Sequence, residues 1–241
     1  MSIKLSPEEL NDFLGKKESP KTRQKNIEFR ILIVCEGAKT EVNYFEAFPV
    51  PVNSGMKVNV ECEGKGMNTL SLVNEAERLD KEAKKTDKPY DFVWVVFDCD
   101  SFTANFDNAI KRAKSLGYGV AWSNEAFELW YLLHFENRTN PMSRADYQKR
   151  LTDHISKKVK GYKYKKNDPK SFSIMTTHGS EDDAIKFAER TIKAFGDRTD
   201  FVNCNPGTTV HLLVKCLRGD NDEFNDKVKA KIKTIVAKTK K

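Results

Sequence analysis

No apolar run in this sequence approaches the roughly 20 residues that a helix needs to cross a bilayer. The first 26 residues, MSIKLSPEELNDFLGKKESPKTRQKN, also lack the apolar centre of a secretory leader. A membrane protein is therefore argued against, and a reducing, cytoplasmic setting is expected. Paired cysteines are missing as well. Cys35, Cys62, Cys99, Cys204 and Cys216 are scattered, odd in number and never spaced as CxxC, which argues against a zinc site. Three of them sit in apolar, strand-like runs, where a thiol behaves as a small hydrophobe. Internal repeats are absent, and the only biased tract is the tail from Lys227 to Lys241, with seven lysines and no acid.

What remains is a polar, globular chain of 241 residues, 39% hydrophobic and 32% charged, long enough for one large domain or a domain with an appended second one. Its net charge of +7 is unevenly spread. From Arg138 to Lys170 there are 11 Lys/Arg against three Asp/Glu, and outside this segment and the tail acids outnumber bases by 32 to 24. An acidic body with two basic segments suits a binder of phosphate backbones whose chemistry is carried by carboxylates. The run KKVKGYKYKKNDPK interleaves tyrosines with Lys157, Lys158, Lys160, Lys163, Lys165 and Lys166, the pattern of a nucleic-acid contact with stacking rings. The alternative is a solvated, solubilising surface, and for the tail the two readings are evenly balanced.

Hydrophobic periodicity predicts three strand-helix repeats and a fourth strand between Glu28 and Ser123, after a flexible lead-in over 1–27. The strands fall at Glu28–Cys35, Lys57–Cys62, Asp91–Asp100 and GVAWS. The helices start near Thr40, run over Thr69–Lys85 with Asn68 as cap, and run over Phe106–Leu116. The third strand is apolar on both faces, hence central. Such a pattern gives an open, Rossmann-like parallel sheet, expected over 28–136. After Ser123 only helix is expected, and the all-helical, basic extension over 137–241, packing on the sheet, should hold helices at about Ser143–Lys158, Ser180–Phe195, Thr208–Leu217 and Asp222–Lys238. Its predecessor, EAFELWYLLHF, is apolar nearly all round and reads as a buried helix over Glu125–Phe135.

Ligands of open α/β sheets gather beyond the carboxyl ends of the strands, where Glu36, Glu41, Asp98 and Asp100 fall. Clustered carboxylates repel and are costly to desolvate. A bound divalent cation relieves both, and an all-oxygen set selects Mg²⁺ or Mn²⁺. Glu128, among Phe127, Leu129, Trp130 and Tyr131, is a fifth candidate, either delivered to the same site or stabilised at a helix start. His134 suits packing or support of a ligand.

Three ordered stretches, VCEGAKTEVNYF, VVFDCDSF and SNEAFELWYLLHF, together with NPGTTVHLLV near the C-terminus, resemble the RloB-like family, whose core is a Toprim domain. The resemblance covers Arg30 to Leu217. It implies Glu36 as general acid/base or metal ligand, Asp98 and Asp100 as metal ligands, and Glu41 as the second acid with which OLD-type Toprim nucleases help hold two ions. It also implies an association with bacterial restriction and phage-defence loci.

Two cations can activate water and stabilise the leaving oxygen of a phosphodiester, so hydrolysis of DNA or RNA, tRNA included, is the expected reaction. Lys39 and Lys65 are candidates for supplementing the metal charge, against the commoner outcome of solvated loop lysines. His211 is a candidate phosphate contact against a structural histidine. Tyr44 reads as core, whereas Tyr162 and Tyr164 read as stacking or phosphate contacts. An adaptor with a non-catalytic acidic site and a small-molecule phosphohydrolase are the rival readings, and the long basic run argues against the second. A regulatory or sensor protein and a second copy of the chain are plausible partners that no residue identifies.

Overall fold

The computed structural model describes residues 27–49, 56–99 and 103–239. Five strands form one sheet: β1 (Ile27–Cys35), β2 (Met56–Gly64), β3 (Phe92–Asp98), β4 (Gly119–Asn124) and the short β5 (Gly207–Thr208), in the order β2-β1-β3-β4-β5. β3 pairs in parallel with β1 and β4, with Val34 opposite Val95 and Asp98 opposite Ser123. β5 runs antiparallel to β4. The expected Rossmann-like α/β core is therefore present. β3 is buried along its length except at its two ends, as its apolar sequence on both faces requires of a central strand.

One face of the sheet, with Leu32, Val34, Val95, Phe97 and Trp122, packs against α2 (Thr69–Lys84) and α3 (Phe106–Ser115) through Leu72, Val73, Ala76, Phe106 and Ile110. Asn68 caps α2 as expected, its side-chain oxygen accepting the Ser71 N–H at 3.0 Å. α4 (Glu128–Leu133) is buried on every side. It spans six residues rather than the expected eleven, because a segment apolar all round contains no periodic signal to mark its ends.

The helices that follow are α5 (Arg144–Ser156), α6 (Ser171–His178), α7 (Glu181–Ala194), α8 (Val210–Arg218) and α9 (Asp222–Thr239); α1 spans Thr40–Glu46. Ser143 and Ser180 cap α5 and α7 by accepting the N–H groups of Asp146 and Asp183, each at 3.2 Å. The expectation of helix alone after Ser123 is corrected by β5. The helix expected from Thr208 starts instead at Val210, because the Thr209 hydroxyl is occupied by the sheet. It donates to the Val120 carbonyl at 2.9 Å and accepts the Trp122 N–H at 3.0 Å.

The chain divides into two compact units. One joins 30–48 with 60–213, so the basic helices as far as Leu213 belong to the unit that contains most of the sheet. In the other, Lys231 Nζ stands 4.7 Å from the centre of the Phe29 ring, and Arg218 pairs with Asp220 at 3.1 Å. No helix among the described residues is long and apolar enough to cross a membrane.

Candidate acidic site and nucleic-acid track

The ends of β1 and β3 bring Glu36, Glu41 and Asp98 to one edge of the sheet. The Glu36 N–H donates to the Val96 carbonyl at 2.9 Å, so the tip of β1 stays in register with β3. The Glu36 carboxylate then accepts the Asp98 N–H at 3.1 Å. The chain turns at Gly37, where a Cβ would stand 2.1 Å from Glu41 Oε2. Any other residue there would force the Glu41 carboxylate to shift, because it lies directly against the backbone. Glu41 enters from the first turn of α1 and is 6% exposed, and its Oε2 is buried without a hydrogen-bond partner. An orphaned, buried carboxylate oxygen is costly.

Asp98 ends β3, and Glu128 opens α4 at 3% exposure. Burial is the main cause that pushes the Asp98 carboxyl well above the usual carboxylate range, with the charges of Glu41 and Glu128 adding to it. The Arg144 guanidinium, whose Nη2 is 3.5 Å from Asp98 Oδ2, and the Phe127 N–H act in the opposite direction. Burial likewise raises Glu41, with Glu128 contributing, against a backbone hydrogen bond, Lys166 and Arg144. Three carboxylates thus feel one another in a poorly solvated space, and two cations face them. Asp100 lies outside the described residues. Among those described, no group of three or more His, Cys, Asp or Glu side chains is arranged to hold a metal ion.

Both cations come from one stretch of chain. Arg144 opens α5, and the loop after α5 crosses back over the acids. Tyr164 Oη donates to Glu128 Oε1 at 3.1 Å. Burial first, then the Glu128 charge, raises the Tyr164 hydroxyl, so it stays protonated and able to donate. Asn167, at φ +66°, anchors the loop. Its side-chain oxygen accepts the Thr40 hydroxyl at 2.7 Å, and its carbonyl accepts the Asn43 amide at 3.1 Å. Tyr164 therefore faces the acids rather than a passing base. Lys157, Lys158, Lys160, Lys163, Lys165 and Lys166 are all exposed along the same stretch. Lys158 donates to the His178 carbonyl at 2.6 Å.

The remaining predicted residues are placed as follows. Lys39 is exposed in the loop before α1. Lys65 is bound to Glu63 at 3.2 Å and Glu75 at 3.3 Å; burial opposes its charge, but these carboxylates outweigh burial and raise its pKa. It is a structural counterion at the start of the turn into α2. His211 is 3% exposed and so is not on the surface with the lysines. His134 packs on Trp130, with Nδ1 2.9 Å from the Trp130 carbonyl, and burial lowers its pKa to about 4. Tyr44 is core, packed against Phe45, Phe127 and Phe172.

The model of the family described as RloB-like protein matches residues 31–217, most of the chain. The chain belongs to the RloB-like family. No curated protein and no solved structure matches it. The matched segment of this RloB-like chain includes Glu36, Glu41, Asp98, Glu128, Arg144, Tyr164 and Asn167. Arg144, Tyr164 and Asn167 were not singled out for this site by sequence. Their signal is faint: a basic residue just after the Ser143 cap, and an asparagine before Asp168-Pro169 that suits a left-handed turn.

Proposed function

We propose that this chain is a Mg²⁺- or Mn²⁺-dependent phosphodiesterase of nucleic acid with a Toprim-type acidic site, acting in bacterial anti-phage defence. One observation carries this reading: the lysine-rich loop is hydrogen-bonded to the acid Glu128 through Tyr164, and through Asn167 to Thr40 and Asn43 of α1, the helix that holds Glu41. A strand held electrostatically on the exposed lysines is led to the carboxylates.

The donors suit a hard cation. They are all carboxylate oxygens, burial and then neighbouring carboxylate charge raise the pKa of Glu41 and of Asp98, and Glu41 Oε2 is buried without a partner. Glu36, Glu41, Asp98 and Glu128, with Asp100, would hold one or two such ions. When bound there, the ions supply water activation and stabilisation of the leaving oxygen. The chain's own groups do the rest. Tyr164 fixes Glu128, the Asp98 N–H fixes Glu36, and Arg144 and Lys166 supply positive charge where a phosphate must approach three acids.

The same two cations favour a second reading, an adaptor that binds nucleic acid through a non-catalytic site. Arg144 and Lys166 already offset the acids from within the chain. The experiment offers the purified chain plasmid DNA, single-stranded DNA and total tRNA, with Mg²⁺, Mn²⁺ or chelator. Cation-dependent cleavage, reduced about a hundredfold or more in Asp98→Ala, supports the enzyme. Undiminished binding in Asp98→Ala without cleavage of any substrate supports the adaptor.

A further inference from the structure

A cavity of about 340 Å³ lies toward the start of β3 and β4, away from the acids at their ends. Trp94, in its lining, precedes Asp98 by four strand residues, about 13 Å at the usual rise. β5 pairs only with Ser123 and Asn124, so among the described residues no strand pairs with the lower half of β4 on the edge opposite β3. The cavity occupies that stretch, lined by Val120 and Trp122 of β4 and by Phe195, Phe201 and Leu212. Its ring wall depends on Gly119. A Cβ there would stand 2.3 Å from the Trp94 indole, so no other residue lets Trp94 lie across β4. Leu212 is 40% exposed although it lines an apolar space.

Two cations line it as well. Lys114 Nζ stands 4.9 Å from the centre of the Phe201 ring. Arg198 is braced by Asp200 at 2.9 Å through Nε, and Asn203 holds the same carboxylate at 3.0 Å. The volume is in the range of small-ligand sites, which are mostly apolar with a few fixed polar groups. Aromatic faces select flat rings, and the lysine and arginine select an anion attached to them.

We propose that this cavity is a nucleotide site, taking the base against the aromatic wall and the phosphate at Lys114 and Arg198. With so little polar lining, it reads the presence of a base rather than its identity. The nucleotide is either free or one unit of a bound strand. None of Glu36, Glu41, Asp98 and Glu128 takes part, so the proposal fails or stands separately from the phosphodiesterase reading.

Trp94 and Trp122 report occupancy directly. Titration of the full chain with AMP, GMP, CMP and UMP should quench tryptophan fluorescence saturably, with matching heat in calorimetry. Ribose 5-phosphate, lacking the base, and adenosine, lacking the phosphate, should each bind at least about tenfold more weakly. Lys114→Ala should weaken the nucleotides, Leu212→Trp should block them, and Asp98→Ala should leave them unchanged. Both blocking variants are at exposed positions, and circular dichroism checks that they fold. If a short single-stranded oligonucleotide competes with AMP, and its binding weakens in Leu212→Trp, the site takes a unit of a strand. If AMP binds without such competition, the ligand is free nucleotide. Absence of saturable quenching by any nucleotide or oligonucleotide up to about 10 mM, or quenching unaffected by Leu212→Trp, overturns the proposal.

Discussion

Replacing Tyr164 by phenylalanine removes one oxygen and keeps the ring that sits 6.4 Å from the Tyr131 ring. What disappears is the bond to Glu128 Oε1 at 3.1 Å. The acceptor is 3% exposed, so water does not simply replace the lost donor. A hydrogen bond to a charged group is worth about 1.5–3 kcal/mol net. For a chain of this size, a loss of about 2 kcal/mol lowers Tm by roughly 4–8 °C. Tyr162→Phe, on the same loop, is the control and should stay within about 0.5 kcal/mol of the parent. Thermal melts in chelator give the stability. Calorimetric titration with Mn²⁺ tests the site separately, and a Glu128 no longer fixed should bind the ion several-fold more weakly. Melts of Tyr164→Phe and Tyr162→Phe that coincide with the parent would refute the claim that the loop is tied to the acids through this hydroxyl.

Gly37→Ala pushes a methyl group into the Glu41 carboxylate. It should cost about 1–3 kcal/mol and weaken Mn²⁺ binding, both read by the same melts and titrations. In chelator, stability should fall as pH rises. Glu41 and Asp98 are held above the usual carboxylate range, so the native state keeps protons that the unfolded chain releases above about pH 4. Saturating Mg²⁺ should flatten this slope, and Asp98→Asn should reduce it. His134 acts in the opposite sense: its pKa is lowered from 6.5 to about 4, so its contribution is complete above 6.5 and is lost as pH falls toward 4. That loss amounts to about 3 kcal/mol and should be missing from the acid limb of His134→Gln melts. Replacing Lys157, Lys160, Lys163 and Lys165 together by alanine should lower the slope of log K against log salt for nucleic acid by about 3, measured by fluorescence anisotropy.

The acids were legible because strand ends are. A run such as ILIVC locates β1, and topology then places whatever follows it at the same edge as the residue ending FVWVVFD. That reasoning reached Glu36, Glu41 and Asp98 without any knowledge of side-chain positions. The cations were less legible. Lys65 reads like any loop lysine until Glu75, ten residues on, is seen beside it. Tyr164 and Asn167 meet partners 36 and 127 residues earlier in the chain, Glu128 and Thr40, and no local pattern encodes such distances. α6, SFSIMTTH, was missed because its eight residues carry no clear apolar stripe; only Ser171 and Met175 are buried. β5 was missed because two residues, Gly207 and Thr208, are too short to alternate.

Beyond β5, the sheet margin is finished by a side chain. Thr209 occupies, with one hydroxyl, both the acceptor and the donor role that a neighbouring backbone would have played toward Val120 and Trp122. Serine could replace it, whereas valine, nearly identical in outline, would strand a carbonyl and an amide out of reach of water, at about 1–3 kcal/mol each. Tolerance at this position should therefore follow chemistry and not shape, and natural variation there should alternate between the two hydroxyl-bearing residues.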